Sequence, residues 1–154
     1  MDAYDTSSLT FTNSDALSEK RAVDPIVALV VDDEEPVRKF VDRVLREAGY
    51  KTALASDGPE AMAVAAKLGS FQILVTDVMM PQMTGDELAR RIRQTEPSVK
   101  VLYLTGFVDR LFKEKATLWE DEAFLDKPCS VKALLEAVSL LLYGKLNGRP
   151  SPEA

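Results

Sequence analysis

The run Phe71-Gln72-Ile73-Leu74-Val75-Thr76-Asp77, followed by Val78-Met79-Met80-Pro81, limits the fold more than any other stretch of this chain. Ile, Leu and Val without polar alternation, bounded by turn residues, predict a strand buried on both faces. Strands of that kind belong to parallel sheets covered by helices. Their carboxyl ends open onto the crevice where α/β sheets bind ligands, so Asp77 is delivered to that rim. Two other apolar runs end in the same way: residues 26–31 in Asp32-Asp33, and residues 99–104 in Thr105-Gly106. Three strands finishing in oxygen-bearing side chains predict one shared polar site.

The rest of the chain keeps the alternation. Residues 1–24 are rich in Ser, Thr and Asp and read as a disordered tail, so order is expected from about residue 25. A helix opening at Pro36 carries the stripe Val37, Phe40, Val41, Val44, Leu45 and Ala48 and stops at Gly49. Residues 51–55 form a short strand, and Asp57 caps a helix bearing Ala61, Met62, Ala65 and Leu68. Thr84-Gly85-Asp86 opens a third helix through Leu88, Ala89 and Ile92, and a weaker helical pattern spans residues 108–118. A strand at 123–125 leads to Asp126-Lys127-Pro128, after which Val131, Leu134, Leu135, Val138, Leu141 and Leu142 mark a clean amphipathic helix. Residues 144–154 read as a frayed tail. Five strand–helix units predict a single α/β domain with a parallel sheet and helices on both faces. Met79, Met80 and Met83 are expected to pack, as is Cys129, a small hydrophobe.

The chemistry open to this chain is narrowed by what it lacks. It has no histidine, which removes imidazole bases, His-based triads and His metal sites. Its one cysteine, Cys129, cannot form an internal disulfide, which points to a reducing compartment, the cytoplasm. A net charge of −6 argues against a nucleic-acid surface. No apolar run reaches membrane-spanning length, and the N-terminus lacks a signal pattern. Any metal must then be held by oxygen. Asp32, Asp33 and Asp77 at one rim would repel one another without a cation, and Mg²⁺ suits carboxylates combined with phosphate oxygens. Lys127 supplies a point charge for a phosphoryl oxygen and Thr105 a hydroxyl donor. Acid cluster, hydroxyl and lysine together fit phosphoryl transfer to a carboxylate.

Four segments in this order, Val31-Asp32-Asp33-Glu34, Thr76 to Gly85, Leu104-Thr105-Gly106 and Phe124-Leu125-Asp126-Lys127-Pro128, resemble the receiver domain of two-component response regulators over residues 25–143. The likeness is to the stand-alone, chemotaxis-regulator type. It implies a flavodoxin-like doubly wound sheet of five strands in order 2-1-3-4-5 with five helices. It implies that Asp77 is the phosphoacceptor, taking a phosphoryl group from a histidine kinase or histidine phosphotransfer protein. Asp33 and Asp77 would hold Mg²⁺ with the Met79 backbone carbonyl, and Asp32 would act nearby through water. Lys127 and Thr105 would contact the phosphoryl group. Thr105 and Phe124 would form the switch, and the face of the fourth helix, fifth strand and last helix would bind a downstream protein partner. Homodimerisation on phosphorylation is compatible with this reading, as are a phosphate-sink or relay role and a place within a hybrid histidine kinase.

The chain departs from the family pattern at three places. Phe124 lacks a tyrosine hydroxyl, Cys129 stands where an aromatic is common, and Leu118-Trp119-Glu120-Asp121-Glu122 replaces a Gly-containing turn. A rival of another class is an aspartyl-nucleophile phosphatase, which needs an acid two residues after the nucleophile. That position is Met79, which has no proton to give. No separate enzyme activity is expected.

Overall fold

The computed structural model describes residues 25–106 and 121–144. In chain order the elements are β1 (Val27–Val31), α1 (Glu35–Glu47), β2 (Lys51–Ala55), α2 (Gly58–Leu68), β3 (Ile73–Asp77), α3 (Gly85–Arg93), β4 (Lys100–Thr105), β5 (Glu122–Asp126) and α4 (Val131–Tyr143). The five strands are parallel in the order β2-β1-β3-β4-β5, the expected doubly wound arrangement. Four helices are present among the described residues. The helix expected at 108–118, the tail at 1–24, Trp119 and residues 145–154 lie outside them. None of the described helices is long and apolar enough to cross a membrane.

Both faces of the sheet are buried, which explains why its strands read as continuous apolar runs. Side chains alternate across the pleat, so Leu29, Val31, Leu74, Val101 and Tyr103 join one core with Ala61 of α2 and Leu88, Ala89 and Ile92 of α3. Ala28, Val30, Ile73, Val75, Leu102 and Leu104 join the other, against Val41, Val44 and Leu45 of α1 and Leu134 and Val138 of α4. All five residues of β3 are buried, as its position at the centre of the sheet requires.

Local signals fixed the helix starts. The Asp57 side chain accepts a 2.8 Å bond from the Glu60 amide at the start of α2, and Ser130 accepts one from Ala133 at the start of α4. Pro36 sits in the first turn of α1, where its missing N–H costs nothing. Cys129 packs against the α1–α4 core, and Met80 and Met83 are buried. Met79 is a correction. It is 51% exposed, because it follows the strand end and β-sheet alternation no longer turns it inward.

The start of β5 is pinned by charge. Lys100 Nζ lies 2.6 Å from Asp121 Oδ1, and Arg93 of α3 pairs with Glu122. Asp121, just before β5, and Glu122, its first residue, therefore tie that strand to β4 and α3.

Candidate phosphoryl-acceptor site

The site forms on one rim of the sheet, where β1 and β3 end as neighbours and β5 ends one strand further on, beyond β4. Asp32 and Asp33 follow the last residue of β1, Asp77 closes β3, and Lys127 follows β5. Ligand oxygens of Asp32, Asp33 and Asp77 all lie within 4.8 Å of one another, with Asp32 and Asp77 buried and Asp33 exposed. Lys127 Nζ stands 3.2 Å from Asp32 Oδ2, 3.3 Å from Asp77 Oδ1 and 3.4 Å from Glu34 Oε1. Strand order thus brings residues far apart in sequence together as one group.

Asp32, Lys127 and the end of β3 are braced by backbone contacts. The Glu34 amide donates to Asp32 Oδ1 at 2.9 Å, and Arg38 of α1 donates to the Asp32 carbonyl oxygen at 2.7 Å. The Lys127 amide donates to the Thr105 carbonyl oxygen at 2.7 Å, which fixes the chain just before the cis Lys127–Pro128 peptide. Behind Asp77, the Gly85 amide donates to the Val78 carbonyl oxygen at 2.7 Å. A Cβ on Gly85 would collide with the backbone carbonyl of Asp77. Gly85→Ala is therefore expected to lower stability by about 1–3 kcal/mol by forcing the start of α3 off the β3 end. Chemical denaturation of the two proteins measures this, and equal midpoints would show the close approach to be unimportant.

Electrostatics show a cluster short of positive charge. Burial, then the nearby Asp32 carboxylate, raises Asp77 from its ordinary 3.8 to about 7, against the opposing pull of Lys127. Burial also raises Asp32, despite its bond from Glu34 and the Lys127 charge. Burial alone would lower Lys127, but the Asp32 and Asp77 carboxylates outweigh it and hold its ammonium above the ordinary range. One lysine does not balance three neighbouring carboxylates. A hard divalent cation would, and the donors offered are all oxygen. The residues present fit Mg²⁺ on that ground.

A cleft of about 700 Å³ opens beside the cluster, lined by Asp33, Asp77 and Lys127 on its polar side. Val37, Phe40, Pro128 and Cys129 are among its apolar lining. Met79 lines it as well.

Thr105 is placed differently from the other predicted residues. Leu104 and Gly106 line the cleft but Thr105 does not. Its hydroxyl donates to Asp126 Oδ1 at 2.9 Å. Phe124 is half-buried, with its ring centroid 5.2 Å from that of Tyr103, whose hydroxyl donates to Glu122 at 3.4 Å. The roles of Asp126, Glu34 and Gly85 were not read from the sequence. Asp126 is found only through the β4–β5 register, which neither strand shows by itself.

Comparison with known proteins agrees with this fold. Residues 28–139 match the family model of the response regulator receiver domain. The response regulator receiver protein CpdR of Brucella abortus is 30% identical over 114 residues, covering 74% of this chain and 94% of CpdR. The sensor kinase CckA of the same organism is 36% identical over 115 residues, 74% of this chain but only 12% of that protein. Several other curated relatives are matched over about half their length. Among solved structures, the chemotaxis protein CheY4 of Vibrio cholerae superposes with a TM-score of 0.69 at 31% identity, over 77% of this chain and 100% of CheY4.

Proposed function

This chain belongs to the response regulator receiver domain family, and from that membership we propose that Asp77 is its phosphoacceptor. The observation that carries the reading is the gathering of Asp32, Asp33 and Asp77 within 4.8 Å, with the Lys127 ammonium 3.3 Å from Asp77. An Asp77 carboxylate oxygen attacks phosphorus in the phosphohistidine of a histidine kinase or phosphotransfer protein. The P–N bond breaks, and its electron pair leaves with the imidazole. Lys127 faces the charge that accumulates on the phosphoryl oxygens. Asp33, Asp77 and the Met79 carbonyl would hold Mg²⁺, with Asp32 beside them. Bound there, Mg²⁺ would offset the negative charge shared by the carboxylates and the incoming group.

The product is a signal rather than a released metabolite, and no separate enzyme activity is proposed. The aspartyl phosphate carries nearly two negative charges at the rim of the sheet, where the free carboxylate carried one. Thr105 and Phe124 would then rearrange and alter the affinity of the β5 and α4 side for a protein partner. Val131 and Leu140 of α4 are half-exposed apolar residues that such a partner could cover. Homodimerisation of the phosphorylated chain is part of the same proposal, as is a cytoplasmic location; no nucleic acid or membrane partner is proposed.

Incubation with a small-molecule phosphodonor tests this reading. One phosphoryl group per chain is expected, stable to acid and labile to alkali, and formed only when Mg²⁺ is present. Uptake of the same extent in a chelator would refute the role given to the acid cluster.

A further inference from the structure

Thr105 is asked to bond a phosphoryl group, yet its hydroxyl is already engaged. Thr105 and Asp126 are register partners in the β4–β5 pair, so their side chains leave the sheet on the same face. The Thr105 hydroxyl donates to Asp126 Oδ1 at 2.9 Å, and Thr105 is only 1% exposed. Its backbone is fixed as well, because the Thr105 carbonyl oxygen accepts from the Lys127 amide. By the same rule Asp77, paired with Leu104, leaves the sheet on the other face, so the Thr105 hydroxyl must leave Asp126 and swing over the strand end to reach a group on Asp77. A hydroxyl has one proton to donate, so a bond to Asp126 and a bond to a phosphoryl oxygen exclude each other.

We infer that Asp126 is a positioning residue that holds Thr105 in the resting arrangement and competes with phosphorylated Asp77 for its hydroxyl. This rests on the reading of Asp77 as phosphoacceptor. The adjacent residue, Lys127, reaches the acid cluster on the opposite side, so two consecutive residues at the end of β5 hold the two halves of the site. Asp126 and a phosphoryl group on Asp77 are both anionic acceptors, so the switch exchanges one charge-assisted bond for another. Two states separated by so small a difference form a bistable element. The apparent affinity for a phosphoryl group then falls by the fraction of molecules in which Thr105 is released from Asp126.

Binding of beryllofluoride, a phosphoryl mimic, tests this in the full chain with Mg²⁺. Titration calorimetry compares the wild type with Asp126→Ala, Asp126→Asn, Thr105→Val and the Asp126→Ala/Thr105→Val double variant. Asp126→Ala is expected to bind about tenfold more tightly. Asp126→Asn keeps an oxygen acceptor without the charge and is expected to fall between; it also serves if the alanine variant does not fold. In the Thr105→Val background, Asp126→Ala is expected to add nothing. Unchanged or weaker binding in Asp126→Ala overturns the inference. So does a gain that persists without the Thr105 hydroxyl, since that gain would come from charge alone. Wild-type protein that binds no beryllofluoride with Mg²⁺ overturns the phosphoacceptor reading itself, and this inference with it.

Discussion

Asp77→Asn is expected to reduce phosphoryl uptake to background while making the metal-free protein more stable at neutral pH. The two effects have one origin. The amide has neither the nucleophilic oxygen nor the charge, and the charge is costly where it sits. Asp77 titrates near 7 in the folded protein, against an ordinary 3.8. Between those values the folded chain binds more protons than the unfolded one, so this group's contribution to stability falls as pH rises from about 4 to 7. Below about 4 the group is protonated in both states and contributes nothing. Substitution by asparagine removes the slope. The gain at pH 7 is expected to be about 1–3 kcal/mol, short of the full value of the shift because Lys127 loses one of its partners. It should shrink in Mg²⁺, which stabilises the wild type by binding its folded state. Thermal unfolding at pH 4.5 and 7, with Mg²⁺ and with a chelator, measures all of this. A variant less stable than wild type at pH 7 without metal would contradict it.

Removing Lys127 should act in the opposite direction. Its ammonium is the counter-charge to buried Asp32 and Asp77 and also reaches Glu34. Lys127→Ala leaves two buried carboxylates without it, and breaking a buried pair from one side costs about 3–5 kcal/mol. The loss should be greatest at neutral pH and should diminish as the medium is acidified and the carboxylates take protons. Phosphoryl uptake should also fall, because the incoming oxygens lose the charge that faces them. Urea midpoints across pH 5–8 test the stability effect, and a pH-independent loss would show that Lys127 acts by packing alone.

The sequence made the architecture legible where physics left one reading. An unbroken apolar run is buried on both faces, so β3 and the delivery of Asp77 are legible in the sequence itself. The amphipathic stripes of α1 and α4 and the cap at Asp57 were equally direct. The acid cluster followed because parallel strands place all their carboxyl ends on one rim. What escaped depends on pairing rather than periodicity. The register that sets Asp126 beside Thr105 is not written in either strand. Glu34 joins Lys127 only because a turn folds it back toward the fifth strand. Gly85 reads as a helix start, and its close approach to Asp77 becomes visible only when α3 is packed. Met79 was expected to pack because methionine usually does, but it lies past the end of the strand.

Reductive trapping tests the central claim most directly. Borohydride converts an aspartyl phosphate to homoserine, and peptide mass spectrometry then locates the modified residue after exposure to phosphodonor and Mg²⁺. Conversion at Asp77 alone is the predicted result. Homoserine at Asp32 or Asp33, or a phosphoryl group carried on a hydroxyl side chain, would contradict it.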